Sequence, residues 1–152
     1  MDKATNVQKI LNATISSLTT VIPIKFQVLS SYIIKQPYEQ REISVLIGLI
    51  GNIKGRLIVE PTYATIGRVG QAMFGMNIES EMTESFTGEL GNMIAGNLCT
   101  ILEKEDFTLD ISPPTVLTGN TRFYGFQQAF KIPVIFEDGE FLNLLLTIDE
   151  ER

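Results

Sequence analysis

Glu89 and Asn92 stand three residues apart in the stretch Glu84-Ser85-Phe86-Thr87-Gly88-Glu89-Leu90-Gly91-Asn92-Met93-Ile94-Ala95-Gly96-Asn97. The pattern around them predicts a helix from about Ser80 to Glu105, on which residues three apart project from one face as neighbours. One lane then carries Ser85, Glu89, Asn92, Gly96 and Cys99 and borders solvent. Another carries Met82, Phe86, Leu90, Met93, Ile94 and Ile101 and packs on a sheet. An asparagine amide both donates and accepts hydrogen bonds, so it can hold a water in line with a phosphorus atom. The carboxylate can pair with a lysine or polarise the same water. In phosphoryl transfer, positioning and charge stabilisation carry most of the catalysis. A single amide without a base is therefore suited to an acyl-phosphate, which is already reactive, and poorly suited to an unactivated ester.

The same spacing also fits an ordinary solvent-facing helix, and the glycines bear on the choice. Gly88, Gly91 and Gly96 each cost up to about 1 kcal/mol of helix propensity relative to alanine. Close backbone packing would account for that cost, as would a shallow surface against which a partner lies. Gly88 and Gly91 are expected on the outer side of the helix and Gly96 in the lane of Glu89. Ser85, Gly88 and Gly96 are the candidate partner contacts. Asn97 falls in the apolar sector and is expected to be a buried amide satisfying backbone groups. Cys99 has nothing nearby to lower its pKa and is expected to be inert.

Composition removes most other chemistry. The chain of 152 residues has no histidine and one cysteine. Ser-His-Asp and Cys-His catalysis are thereby excluded, and a zinc site lacks its usual ligands. A disulfide within the chain is impossible, which suits a reducing, cytoplasmic compartment. The net charge of −6 and the scattered basic residues argue against nucleic acid and against a membrane surface. No apolar run reaches the ~20 residues of a membrane span, and the first residues do not read as a secretory signal. Gly48 to Gly55 lacks P-loop spacing.

The elements around the candidate helix read as one domain over residues 1–152. An amphipathic helix is predicted from Lys3 to Thr19, with Val7, Ile10, Leu11, Ile15 and Leu18 on its inner face. A strand follows from Val21 to Ser30, then a polar, turn-prone stretch from Gln36 to Gln40. Ile43–Leu49 and Leu57–Glu60 read as a hairpin turning over Gly51 to Gly55. A second helix is expected to begin at Pro61, to carry Ile66, Val69, Met73 and Phe74, and to stop at Gly75. After the candidate helix come an extended piece from Phe107 to Ile111, the stiff Ser112-Pro113-Pro114 connection, and strands at Thr115–Thr118, Thr121–Val134 with interruptions, and Phe141–Ile148. Asp138-Gly139 is a hairpin turn between the last two. The predicted class is α+β: two layers, with helices on a mixed, mostly antiparallel sheet. The α-β-x-β-β plan recurs in the two halves without a matching sequence repeat.

The segment Gly88–Asn97, the extended run Leu109-Asp110-Ile111-Ser112-Pro113-Pro114-Thr115-Val116 and the Ile47-Gly48-Leu49 to Gly55-Arg56-Leu57 hairpin together resemble the CheC/CheX/FliY phosphatase family, its CheX members most. The resemblance spans nearly the whole chain. It implies a phosphatase acting on the aspartyl-phosphate of a CheY-type response regulator in chemotaxis or two-component signalling. It further implies that Glu89 pairs with the regulator's active-site lysine and that Asn92 orients the attacking water. Mg²⁺ would belong to the partner, and this chain would carry no cofactor or metal of its own. A CheX-like member has one such helix. The first helix here, with Gln8, Asn12, Ser16 and Ser17, has no Glu-x-x-Asn, as that type requires. Relatives of this type imply a homodimer. The competing reading is a non-catalytic adaptor that grips a response regulator or signalling complex through the same helix.

Overall fold

The computed structural model describes residues 3–149. Helix α1 (Lys3–Val21) opens the chain, followed by three short strands, β1 (Phe26–Val28), β2 (Tyr32–Ile34) and β3 (Tyr38–Gln40). The hairpin β4 (Ile43–Gly51) and β5 (Lys54–Pro61) leads to α2 (Tyr63–Phe74). A single 3₁₀ turn at Ser80–Met82 runs into α3 (Thr83–Glu103). Strands β6 (Leu109–Ile111), β7 (Thr115–Thr118), β8 (Thr121–Phe123), β9 (Gln128–Phe136) and β10 (Phe141–Ile148) complete the order.

The main sheet runs β1-β9-β10-β5-β4-β6, with β2 also on β9 and β7 also on β4. A two-fold relation is written in that order. β5 and β10 pair at the centre, each flanked by its own hairpin partner, and each of those partners carries two short strands on its outer edge. The expected duplication of plan is thus present as topology. Every pairing is antiparallel, so the mixed sheet that was expected is corrected to an antiparallel one.

Strand alternation divides two cores. Val45, Ile47 and Leu49 of β4, Leu57 and Val59 of β5, and Leu142, Leu144, Leu146 and Ile148 of β10 face α1 and α3. The intervening Ile58, Ala129 and Leu145 face the other way, where Phe123 and Phe126 cover them. There β3 and β8 pair as a separate ribbon. Tyr38 of that ribbon donates its hydroxyl to the buried carboxylate of Glu60, and Asn143 Nδ2 donates to the same carboxylate at 3.4 Å.

Several boundaries differ from expectation for local reasons. The first strand is only Phe26–Val28, because α1 continues to Val21 and Pro23 follows it. The turn-prone stretch at Gln36–Gln40 contains β3, whose partner β8 lies far along the chain and leaves no local pattern. Pro61 ends β5 rather than starting α2. Thr62 caps that helix, its Oγ1 accepting from Thr65 N at 3.0 Å. The helix stops where expected, at Gly75, whose φ of 74° is left-handed.

Candidate functional site

Helix α3 owes its place to four supports. Phe86, Leu90, Ile94, Leu98 and Leu102 are buried in the main core. The carbonyl of Ile94 accepts from Ser17 Oγ of α1 at 2.6 Å, fixing the two helices side by side. A Cβ placed on Gly91 would lie 2.4 Å from Val45 Cγ1, and one on Gly88 would lie 3.1 Å from Val116 Cγ2. Val45 and Val116 are opposite one another in the β4–β7 register. The two glycines therefore seat the first half of α3 directly on a cross-strand valine pair.

This overturns the expected orientation of Gly88 and Gly91. Both are buried and face the sheet, because a side chain at Gly91 would collide with β4. Gly96 meets nothing within 4 Å of an added Cβ, so it is the glycine that leaves the surface open. Met82 and Met93, expected to pack on the sheet, are instead exposed. They flank the buried Phe86 and Leu90 at the margin of the apolar stripe.

The segment following α3 holds that valine pair in position. Asp106, with φ 59°, turns the chain, and Phe107 N bonds back to Leu102 O at 3.1 Å. β6 then pairs with Leu49–Gly51 and β7 with Ile43–Leu46. Between them Pro113 and Pro114 have no N–H to contribute. Ser112 bridges the gap: its N donates to Gly48 O at 3.0 Å, and its Oγ accepts from Gly48 N at 2.7 Å.

On the free side of α3 lie the candidate residues. Ser85 and Glu89 are exposed, and Asn92, Gly96 and Cys99 are half-buried, so the predicted lane exists. Among the described residues neither the Glu89 carboxylate nor the Asn92 amide has an internal hydrogen bond or ion pair. Both are fixed at the backbone by a packed helix and uncommitted at the tip. The Cys99 thiol is pushed up, first by burial and then by Asp110 and Glu103, which disfavours the nucleophilic thiolate. Asn97 departs from expectation: it is half-buried and its Nδ2 has no partner among the described residues. Among the described residues no three of His, Cys, Asp and Glu come together as a metal ion would require. No described helix is long and apolar enough to cross a membrane.

The supporting residues Ser17 and Val45 carry no signal in the sequence beyond being small or apolar. The role of Ser17 is its bond to the Ile94 carbonyl, and that of Val45 follows from where Gly91 sits, which spacing alone placed on the wrong side.

Comparison with known proteins agrees with this anatomy. Residues 82–118, which run from the start of α3 through the Ser-Pro-Pro connection to the end of β7, match the CheC-like family. The chain is 38% identical over 101 residues to the CheY-P phosphatase CheX of Thermotoga maritima, a match covering 63% of this chain and 65% of that protein. The fold is similar to that in the crystal structure of the CheX–CheY–BeF3–Mg²⁺ complex from Borrelia burgdorferi, with a TM-score of 0.76 and 24% identity over 95% of this chain and 97% of the other. It is likewise that of the chemotaxis protein CheX from Desulfovibrio desulfuricans, with a TM-score of 0.77 and 20% identity over 93% and 97%. The resemblance to the CheC/CheX family is therefore present in motif, in sequence and in fold.

Proposed function

We propose that this chain, a CheC-like helix set on a CheX fold, is a phosphatase for the aspartyl-phosphate of a CheY-type response regulator. The observation that carries the reading is the uncommitted Glu89 and Asn92 pair on the solvent face of α3, inside the segment that matches the CheC-like family. Asn92 enters the regulator's site and positions the hydrolytic water through its amide. Glu89 pairs with the lysine beside the phosphoryl group. Water attacks phosphorus, the P–O bond to the aspartate breaks, and inorganic phosphate and a free carboxylate result. Mg²⁺ belongs to the regulator, and a lone Glu89 offers no multidentate site for it. Ser85 and Gly96 flank the pair and contact the regulator. Gly88 acts from beneath, by letting α3 lie close on Val116.

The reaction belongs in the cytoplasm, where a single free thiol and a response regulator both fit. A homodimer follows from the resemblance. Sedimentation of the purified chain tests it, and a concentration-independent monomer would remove it from the account.

An adaptor without turnover is the competing reading. Nothing in a pure grip calls for an amide left unpaired at the centre of the surface. Release of inorganic phosphate from a phosphorylated CheY-type receiver separates the two. Acceleration by catalytic amounts of the chain supports the phosphatase. Stoichiometric binding without acceleration would replace it with the adaptor.

A further inference from the structure

Four large apolar side chains between the end of α2 and the middle of α3 stand in solvent: Phe74 is 57% exposed, Met76 67%, Met82 53% and Met93 37%. Helical spacing and one ring contact relate three of them, and Met76 is next but one to Phe74 in the chain. Met82 is one turn before Phe86 on α3, and Met93 is one turn beyond Glu89 on the same side. Phe74, at the end of α2, meets Phe86 edge-on with ring centroids 5.5 Å apart. Met76 follows immediately after the Gly75 cap. The patch is thus assembled from three places in the chain, around a buried phenylalanine that anchors it. Scattered single apolar residues need no explanation, but a cluster of flexible methionines and a phenylalanine marks a contact surface.

The charges along the segment that carries it have one sign. Glu79, Glu81, Glu84 and Glu89 are all exposed, and the sequence has no lysine or arginine between Arg68 and Lys104. An apolar centre inside an acidic rim fits a partner whose own apolar contact is rimmed by basic side chains.

We infer that Phe74, Met76, Met82 and Met93 form the docking surface for the receiver domain whose phosphoryl group Asn92 reaches, with the glutamates selecting a basic-rimmed face of that domain. The inference rests on the phosphatase reading. The occupant is set by continuity: Met93 adjoins both Asn92 and Glu89, so a molecule that covers the pair also covers Met93, the near edge of the patch.

The test uses the full chain and Met76→Ser, Met82→Ser and Phe74→Ala variants, with a phosphorylated CheY-type receiver as substrate. Met76→Ser changes an exposed side chain outside any helix, so it reports on docking even if Phe74→Ala disturbs folding. The expected result is a KM raised about tenfold for Met82→Ser with kcat unchanged, the scale of losing one apolar contact at an interface core. Wild-type KM should also rise with ionic strength, from the acidic rim. Unchanged KM in Met76→Ser and Met82→Ser, with wild-type activity intact, overturns the docking surface and leaves the phosphatase standing. If the wild-type chain does not accelerate decay, the phosphatase reading fails by itself. Titration against the beryllofluoride–Mg²⁺ form of the receiver then decides the surface: weaker binding by the variants supports it, and equal binding overturns it. Loss of self-association in the variants at unchanged receiver affinity would assign the patch to a second copy of this chain and overturn the inference.

Discussion

Asn92 acts, in this account, through an amide fixed at its backbone and free at its tip. Replacing it with alanine removes the water-positioning group and leaves the packing of α3 untouched. Asn92→Ala should lower kcat by about 10²–10³, the usual effect of removing one positioned catalytic hydrogen bond, with an unchanged unfolding midpoint. Glu89→Ala should act differently, raising KM by loss of the lysine pair as well as reducing turnover. Steady-state kinetics on both variants separates the roles, and a Glu89→Ala variant with wild-type KM would remove the pairing. The pair itself was legible from residue type and spacing together with the family motif. Its freedom from internal partners was not, because that depends on what the remaining chain brings near.

At the scale of the element, the three glycines of α3 divide by function. Gly91 is buried against Val45, so Gly91→Ala forces a collision that costs about 1–3 kcal/mol, as overpacking does. It should also lift Glu89 and Asn92 out of position. Val45→Ala in the same chain should restore part of the lost midpoint and activity, and an additive double variant would contradict direct contact. Gly96→Ala meets no neighbour and should stabilise the fold by up to about 1 kcal/mol through helix propensity. If a partner lies along Gly96, KM rises in that more stable variant; thermal denaturation beside kinetics reads both. The long elements α3 and β10 were legible from periodicity and turn residues, and the short β7 from the prolines before it. The short strands β2 and β3 were not, since three-residue strands have no period to read and their partners lie far along the chain. Helical spacing placed the lane of Ser85, Glu89, Asn92, Gly96 and Cys99 away from the core but put Gly88 and Gly91 on the outside. Small residues have no hydropathy to orient them, and only the nearby valine pair does so.

For the whole molecule, the two-fold arrangement of the sheet sets α1 beside α3, yet only α3 carries the Glu-x-x-Asn pair. On α1 the amide of Asn12 is already engaged, its Oδ1 accepting from Gln8 Nε2 at 3.0 Å. The face of the sheet away from the helices holds a second feature that composition did not announce. Glu60 is raised above the ordinary carboxylate range, first by burial, with the Tyr38 and Asn143 hydrogen bonds, Lys131 and the Arg41 backbone N–H acting against it. Burial and the Glu60 contact likewise raise the Tyr38 phenol. A carboxyl whose folded pKa exceeds its unfolded one keeps its proton to higher pH when folded. Stability from this group is therefore full below the unfolded value, falls as pH rises toward the folded value and levels off above it. Glu60→Gln keeps an oxygen to accept from Tyr38 and removes the titration. Its midpoint relative to wild type should increase as pH rises from about 4 to 8. Parallel profiles in thermal denaturation would show that Glu60 titrates normally.

If this chain is the proposed phosphatase, α3 presents Asn92 to a phosphorylated receiver and its amide hastens hydrolysis. The most direct measurement is the decay of an aspartyl-phosphorylated CheY-type receiver alone, with the chain, and with Asn92→Ala of equal thermal stability. Decay that is faster with the wild-type chain and returns to the unassisted rate with Asn92→Ala is the predicted result. Equal acceleration by both proteins would contradict the account, because the amide could then have no part in the reaction.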